Sequence, residues 1–180
     1  RREGGRPSGT EPGSLTGVLE HGLTGKGVIL GIIDSGIDYL HPDFRNEDGS
    51  TRILYLWDQD LGEVYNREDI NRALAAYGEQ NDRRAALNIV PSVDVSGHGT
   101  AAAAIAAGNG RGSDGVYRGV AYESELIAVK LGTSPKDSFP RTTQLMEGLD
   151  FILKRAILLE RPVAVNVSFG NTYGSHDGTS

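Results

Sequence analysis

Residues 28–34 read VILGIID, a short and almost continuous apolar run that follows Gly25-Lys26-Gly27. Strands with one solvated face alternate apolar and polar residues, whereas a continuous apolar run indicates a central strand buried on both faces of a parallel sheet. The run ends on the carboxylate of Asp34. A carboxylate in this partly desolvated position must be paired or hydrogen-bonded if it is to stay charged.

Strand and helix patterns alternate along the rest of the chain. Apolar, aromatic and β-branched runs predict strands at residues 52–57, 125–131 and 163–169. Periodic apolar residues or runs of alanine predict helices at residues 66–77, 98–107 and 142–160. The alternation predicts an α/β fold with a mainly parallel sheet and helices on both faces. Ligands of such sheets bind beyond the carboxyl ends of the strands, where Asp34 and Phe169 both lie.

Bulk composition argues against several classes of function. The 180 residues, 38% of them apolar, suffice for one domain or most of one. The formal net charge is −6, and no basic run with interleaved aromatic residues would bind a phosphate backbone, so nucleic acid is not an expected partner. No run of about 18 apolar residues would span a membrane. The absence of cysteine excludes disulfides, thiolate metal sites and a cysteine nucleophile, but leaves the compartment open.

A second motif, Ser96-Gly97-His98-Gly99-Thr100, opens the alanine-rich helix. Because glycines flank His98, a substrate and a nucleophile would be able to approach its ring closely. A helix N-terminus disfavours a protonated ring, so we expect the neutral, basic form near neutral pH. An acid after a strand, followed by a histidine at a helix start, is how an Asp-His-Ser hydrolase would begin. Each residue also has a plainer interpretation, in which Asp34 caps the following turn and His98, Ser96 or Thr100 caps the helix.

Five short motifs, in this order along the chain, together resemble those of the subtilisin-like serine proteases, the subtilase family. They are GVI at 27–29, IDSGID at 33–38, HPD at 41–43, GHGT at 97–100 and VNVSFG at 165–170. The resemblance implies a serine endopeptidase in which Asp34 is the acid of the catalytic triad and His98 is the base. It also implies that Ser168, Phe169 and Gly170 form a strand edge that binds the substrate backbone and walls the specificity pocket. No metal or organic cofactor takes part in that chemistry.

The chain shows no evident serine nucleophile. Gly178-Thr179-Ser180 matches the first letters of the family's Gly-Thr-Ser-Met-Ala motif, but only nine residues separate Gly170 from Ser180. The family places further strands in that interval, one of which brings the asparagine of the oxyanion hole. We therefore expect the serine to lie beyond residue 180, so that this chain alone is inactive, with Ser180 itself as the other candidate. The rival interpretation is a pseudoprotease, a binding or regulatory scaffold without a working nucleophile.

Parts of the sequence resemble, more narrowly, the Csp-type germination proteases of spore-forming bacteria. These parts are DFR at 43–45, LWDQ at 56–59, SFGNTYGS at 168–175 and the long insertion before His98. The resemblance implies an extracytoplasmic protein, secreted or spore-associated. Its expected partners are a peptide or protein substrate, and its own prodomain or the remainder of the catalytic domain. The family usually has a second histidine three residues after the base, and this chain has Ala101 there. The change does not affect proton transfer, because that histidine is not a triad member.

Composition and the family resemblance together predict how the chain is divided. Residues 1–14 are polar and rich in glycine, proline and serine, and we interpret residues 1–22 as the flexible leader of a processed or excised piece. Residues 23–180 are expected to form the N-terminal portion of a subtilisin-like catalytic domain, with an insertion at about 45–90 and a fold that is incomplete at its C-terminus.

Two metal-binding interpretations also remain open. Asp34, Asp38, His41 and Asp43 have the chemistry of a hard-cation cluster. In a metal-dependent phosphohydrolase, Asp34, Asp38 and His41 would hold a divalent ion. Asp43 resembles a structural calcium-ligand position in some subtilases, although the sequence identifies no other ligand for that site.

Overall fold

The computed structural model describes residues 22–132 and 142–168. The predicted leader, residues 1–22, therefore lies outside the described residues except for Gly22. Phe169, Gly170 and Ser180 lie outside them as well. The division of the chain into leader and catalytic portion stays a prediction.

A five-stranded sheet forms the centre of the described fold. Its strands, in chain order, are β1 (Ile29–Asp34), β2 (Ile53–Asp58), β3 (Glu63–Asn66), β4 (Glu125–Lys130) and β5 (Val163–Val167). They lie side by side in the order β3-β2-β4-β1-β5. β1 pairs in parallel with β4 and β5, and β2 pairs in parallel with β4, whereas β3 runs antiparallel to β2. The predicted mainly parallel sheet is confirmed.

The α-helices of the described ranges are α1 (Arg67–Tyr77), α2 (Arg83–Leu87), α3 (His98–Ala107) and α4 (Thr142–Leu158), with short 3-10 helices at Pro42–Phe44 and Arg111–Ser113. Asn66 caps the start of α1 as predicted, because the side chains of Asn66 and Asp69 each accept a hydrogen bond from the other's backbone N–H in a capping box. It ends at Gly78. In the part of the chain that the structure describes, no helix is both long and apolar enough to cross a membrane.

Helices cover both faces of the sheet, which explains the apolar run at residues 28–34. Ile32 belongs to a core that also contains side chains of α1, α2 and α3. Ile29 and Ile33 belong to a second core with Phe151 and Ile152 of α4. α4 packs so closely that a Cβ at Gly31 would lie 2.9 Å from a methyl group of Ile152. A strand buried on both sides has no solvated face, so it carries no polar alternation.

The range of the predicted insertion, about 45–90, contributes β2, β3, α1 and α2. β2 is a strand of the main sheet and lies between β3 and β4. Its side chains Ile53 and Leu56 are fully buried in the core on the α1 side. This range is therefore integrated with the rest of the fold rather than attached to its surface.

The carboxyl ends of three neighbouring strands carry charged residues. Asp58, the last residue of β2, pairs in register with Lys130 of β4, and Lys130 pairs with Asp34 of β1. Because parallel strands end at the same edge of a sheet, the three residues form a row there. The candidate site lies at this edge.

Candidate active site

The structure brings Asp34 and His98 into direct contact. Asp34 ends β1 and is 2% exposed, and His98 is the first residue of α3. Nδ1 of the His98 ring lies 2.8 Å from Oδ1 and 3.0 Å from Oδ2 of Asp34. A carboxylate only accepts hydrogen bonds, so Nδ1 carries the hydrogen and Nε2 is left with a free lone pair. The side chain of His98 is 60% exposed, so a reacting group has access to the ring.

Two further donors hold the Asp34 carboxylate. The backbone N–H of Ser35 donates to Oδ1 at 2.6 Å, and the hydroxyl of Ser168 donates to Oδ2 at 2.6 Å. The side-chain amide of Asn166 in turn donates to the Ser168 hydroxyl at 2.9 Å. Ser168 was predicted for the substrate-binding strand edge, and its contact with Asp34 was not foreseen. The other two residues of that predicted edge, Phe169 and Gly170, lie outside the described residues.

The pKa of His98 is raised above its usual value, which corrects the expectation from the helix N-terminus. The main cause is the hydrogen bond to Asp34, followed by the negative charge of Asp34, and the charge of Asp94 adds to the effect. A carboxylate in contact with the ring stabilises the imidazolium more than the partial charges of the helix end destabilise it. The pH at which the ring becomes a base is therefore set by Asp34.

Asp94, four residues before His98, was missed by the sequence analysis. Its carboxylate accepts hydrogen bonds from the backbone N–H and hydroxyl of Thr100 at 2.8 and 2.7 Å, from the Ser35 hydroxyl at 2.8 Å and from the Gly97 N–H at 3.0 Å. Burial acts to raise the pKa of Asp94, but the hydrogen bonds from Thr100, Ser35 and Gly97 outweigh it and lower the pKa. A charged Asp94 thus ties the turn after β1 to the first turn of α3. An acidic residue just before a predicted helix start was the available signal.

Thr100 and Ser96, which were considered as helix caps, also hold the turn after β1 and the start of α3. The Thr100 hydroxyl accepts a hydrogen bond from the backbone N–H of Asp38 at 2.9 Å. The Ser96 hydroxyl accepts one from the backbone N–H of His98 at 3.2 Å. Both side chains therefore hold the loop and helix start that present His98.

The glycine after His98 is required by packing. A Cβ on Gly99 would lie 2.1 Å from the carbonyl oxygen of Gly36 and 3.0 Å from Cβ of Asp34. Only a residue without a side chain lets α3 approach the end of β1 this closely. Gly97 has a different reason, since its φ of 75° lies in the left-handed region. Access for a substrate was the role expected of both glycines from the sequence.

A cavity of about 420 Å³ opens beside the His98 ring. From α3, the lining contains the small or apolar residues Ala101, Ala102, Ile105 and Ala106. Asn166 of β5 and Ser168 after it add polar groups. Ile105 is 74% exposed on this side of α3. The cavity thus combines an apolar wall with the His98 ring and the Ser168 side chain.

The alternative cation cluster is not assembled among the described residues. Asp38 forms an ion pair with Arg83 at 3.2 Å, and the His41 ring accepts a hydrogen bond from the backbone N–H of Asp43. Asp43 itself accepts a hydrogen bond from the Gly112 N–H at 2.7 Å. Residues 22–132 and 142–168 contain no group of three or more histidine, cysteine, aspartate or glutamate side chains placed to hold a metal ion. Calcium at Asp43 stays a prediction.

A buried carboxylate at a strand end, bonded to Nδ1 of a histidine at a helix start, is the acid–base arrangement of the Asp-His-Ser class of hydrolases. The sequence profile described as the subtilase family matches residues 25–180, and the chain belongs to that family. The predicted subtilisin-like identity is confirmed.

Individual relatives support the same assignment. Serine protease AprX of Bacillus subtilis is 30% identical over 147 residues, which is 81% of this chain and 26% of AprX. Neuroendocrine convertase 2 of the rat is 62% identical over 34 residues, 17% of this chain and 5% of the convertase. The solved structure of the CspB protease of Clostridium perfringens matches with a TM-score of 0.74 and 39% identity, over 89% of this chain and 32% of that one. The predicted Csp similarity is confirmed, and the chain spans a third or less of each of these relatives.

Proposed function

We propose that this chain carries the acid and the base of a serine endopeptidase of the subtilase type. Asp34 is the acid, His98 is the base, and the nucleophilic serine comes from residues beyond 180 of a longer protein. The observation that carries the proposal is the 2.8 Å contact between His98 Nδ1 and the buried Asp34 carboxylate. AprX and CspB, which the chain resembles, are both described as proteases.

The geometry supports a role for each group in the reaction. With its Nδ1–H held by Asp34, His98 presents Nε2 to the serine hydroxyl and takes its proton as the serine attacks the peptide carbonyl. The imidazolium that forms then gives the proton to the leaving amine. Asp34 stabilises the imidazolium, while the Ser35 N–H and the Ser168 hydroxyl hold the carboxylate in place. The chemistry uses no metal or organic cofactor.

The substrate we propose is an extended peptide. The binding edge that we propose for it is the one the family resemblance implies, formed by Ser168, Phe169 and Gly170 after β5. Ser168 follows β5 directly and lies beside both Asp34 and the 420 Å³ cavity. A peptide along this edge would continue past Ser168, Phe169 and Gly170 with its scissile bond near His98. As the resemblance to the Csp-type germination proteases implies, we also propose an extracytoplasmic, spore-associated or secreted location, and a prodomain or the rest of the domain as a further partner.

The experiment compares two histidine variants of the complete protein in a peptide-cleavage assay. We expect His98→Ala to abolish cleavage, because no other group would accept the serine proton. His41→Ala is the matched control, since its ring contacts the Asp43 N–H and Phe44 instead of Asp34, and it should keep the wild-type rate. Equal activity of His98→Ala and wild type would overturn the proposed mechanism. A wild-type protein without cleavage or autoprocessing would instead favour the pseudoprotease, which has no chemical need for the Asp34–His98 contact.

A further inference from the structure

A buried ion pair lies beneath the loop that presents His98. Asp58 is 0% exposed, and its Oδ2 lies 3.5 Å from Nζ of Lys130, whose side chain is 16% exposed. The two residues are partners in register at the carboxyl ends of β2 and β4. On its other side, Lys130 is the register partner of Asp34. The pair therefore occupies the same edge of the sheet as the candidate site.

Both members of the pair contact the chain that leads into the active-site loop. The Lys130 ammonium donates to the backbone carbonyl of Val93 at 3.0 Å. The Ser92 hydroxyl, which is also buried, donates to Asp58 Oδ2 at 2.6 Å. The other oxygen of Asp58 accepts the backbone N–H groups of Asp60 and Leu61. Consecutive residues, Ser92 and Val93, are thus fixed to the ends of two strands.

From Val93 the connection to His98 is short. The next residue is Asp94, whose carboxylate holds the N–H groups of Gly97 and Thr100 on either side of His98. The Lys130 stem also lies close under the turn after Asp34, because a Cβ on Gly36 would be 3.4 Å from Lys130 Cδ and 3.2 Å from Asp94 Cα. Lys130 is therefore placed between the segment that carries the acid and the segment that carries the base.

We infer that Lys130, anchored by Asp58, is a positioning residue that sets the location of His98 relative to Asp34 through Val93 and Asp94. The inference rests on the proposed function, since it assigns this role within the same site. A buried ion pair is weak evidence for a gain in stability, because well-packed apolar residues often replace one without loss. The bond from the Lys130 ammonium to the Val93 carbonyl has no such apolar substitute. Positioning, rather than stability, is what the pair provides.

The test uses the complete protein with Lys130→Met, the neutral double variant Asp58→Asn/Lys130→Met, and Lys154→Met as control. Lys154 forms an exposed pair with Asp150 on α4, so the control removes a lysine that does not touch the loop. We expect Lys130→Met to lower kcat on the order of 10- to 100-fold, the cost of a displacement of up to about 1 Å. KM should stay within about twofold, since Lys130 is not among the residues that line the cavity beside His98. Lys154→Met should match wild type.

The double variant separates positioning from charge balance. It removes both members of the buried pair, and the other carboxylate beside Lys130 Nζ, that of Asp60 at 3.9 Å, is 29% exposed to solvent. Thermal stability should therefore recover toward wild type while kcat stays low, because the Val93 carbonyl still lacks its donor. It also serves if Lys130→Met alone does not fold. Recovery of kcat together with stability would overturn the inference, as would a Lys130→Met enzyme that matches Lys154→Met.

The pKa of the His98 ring, measured by NMR titration, gives a readout that does not need activity. A displaced loop weakens the hydrogen bond to Asp34 that raises this pKa, so the pKa should fall toward about 6.5 in Lys130→Met and in the double variant. Asp34 and Asp94 are the charged groups that act on the ring, and both are retained in these variants. An unchanged pKa would contradict positioning. If the wild-type protein does not cleave peptides, the proposed function fails while this comparison still decides the inference.

Discussion

Replacing Asp34 by asparagine removes one charge from the candidate site and changes one hydrogen-bond acceptor into a donor. The orientation of the new amide is set by the backbone N–H of Ser35, which lies 2.6 Å from Oδ1 and needs an acceptor there. The amide nitrogen therefore takes the position of Oδ2, 3.0 Å from His98 Nδ1 and 2.6 Å from the Ser168 hydroxyl. Oδ1 stays 2.8 Å from Nδ1.

This geometry determines the size of the effect. Because Oδ1 still accepts from Nδ1, the productive tautomer of His98 remains available in part, but the imidazolium that forms during reaction loses its buried countercharge. Where an asparagine reverses the tautomer completely, turnover falls by about 10⁴-fold in other triad enzymes. We expect a somewhat smaller loss of kcat here, on the order of 10³-fold, with little change in KM.

The assay is peptide hydrolysis by the complete protein over a range of pH. Asp150→Asn is the matched control, because Asp150 makes an exposed pair with Lys154 on α4, and it should leave kcat unchanged. The His98 pKa should also fall in Asp34→Asn, since the hydrogen bond and charge that raise it are both weakened. An Asp34→Asn enzyme within about threefold of the wild-type kcat would refute the reasoning.

Three further predictions concern the packing, the stability and the pH dependence of the site. Gly99→Ala places a Cβ 2.1 Å from the Gly36 carbonyl oxygen, so α3 must shift. The shift should lower kcat on the order of 10²-fold, and wild-type kinetics would contradict the contact. Arg52→Met removes a buried guanidinium that donates to three backbone carbonyls. The free energy of unfolding, measured with denaturant, should therefore fall by about 3 kcal/mol. In the pH profile of kcat/KM, the midpoint of the acidic limb should lie above pH 6.5, because Asp34 raises the pKa of His98. The His98–Asp34 contact should stabilise the fold most below the unfolded pKa of about 6.5, and this contribution should be lost as pH rises through the folded pKa.

Much of the fold could be predicted from the sequence because its signals are local. The apolar run at residues 28–34 needs only its own composition to indicate a strand buried on both faces. Asn66 and Gly78 mark the ends of α1, and the glycines and alanines around residues 97–108 mark α3. β3 could not be predicted in the same way, because Glu63–Asn66 is short, polar and stabilised mainly by pairing with β2.

The contacts that support the site depend on residues far apart in sequence, which no local pattern reports. Asp58, Lys130 and Val93 meet only because β2 and β4 end side by side. The bond from Ser168 to Asp34 likewise requires β5 to pair with β1. The His98 pKa was expected in the wrong direction because the helix start is visible in the sequence, whereas the distance to the Asp34 carboxylate is not.

The most direct test is the reaction of the complete protein with a fluorophosphonate, followed by mass-spectrometric mapping of the modified residue. We predict a single modified serine that lies beyond residue 180, with labelling lost in His98→Ala. Labelling of Ser180 would contradict the proposed position of the nucleophile. Absence of labelling in the wild-type protein would contradict a working triad built on Asp34 and His98.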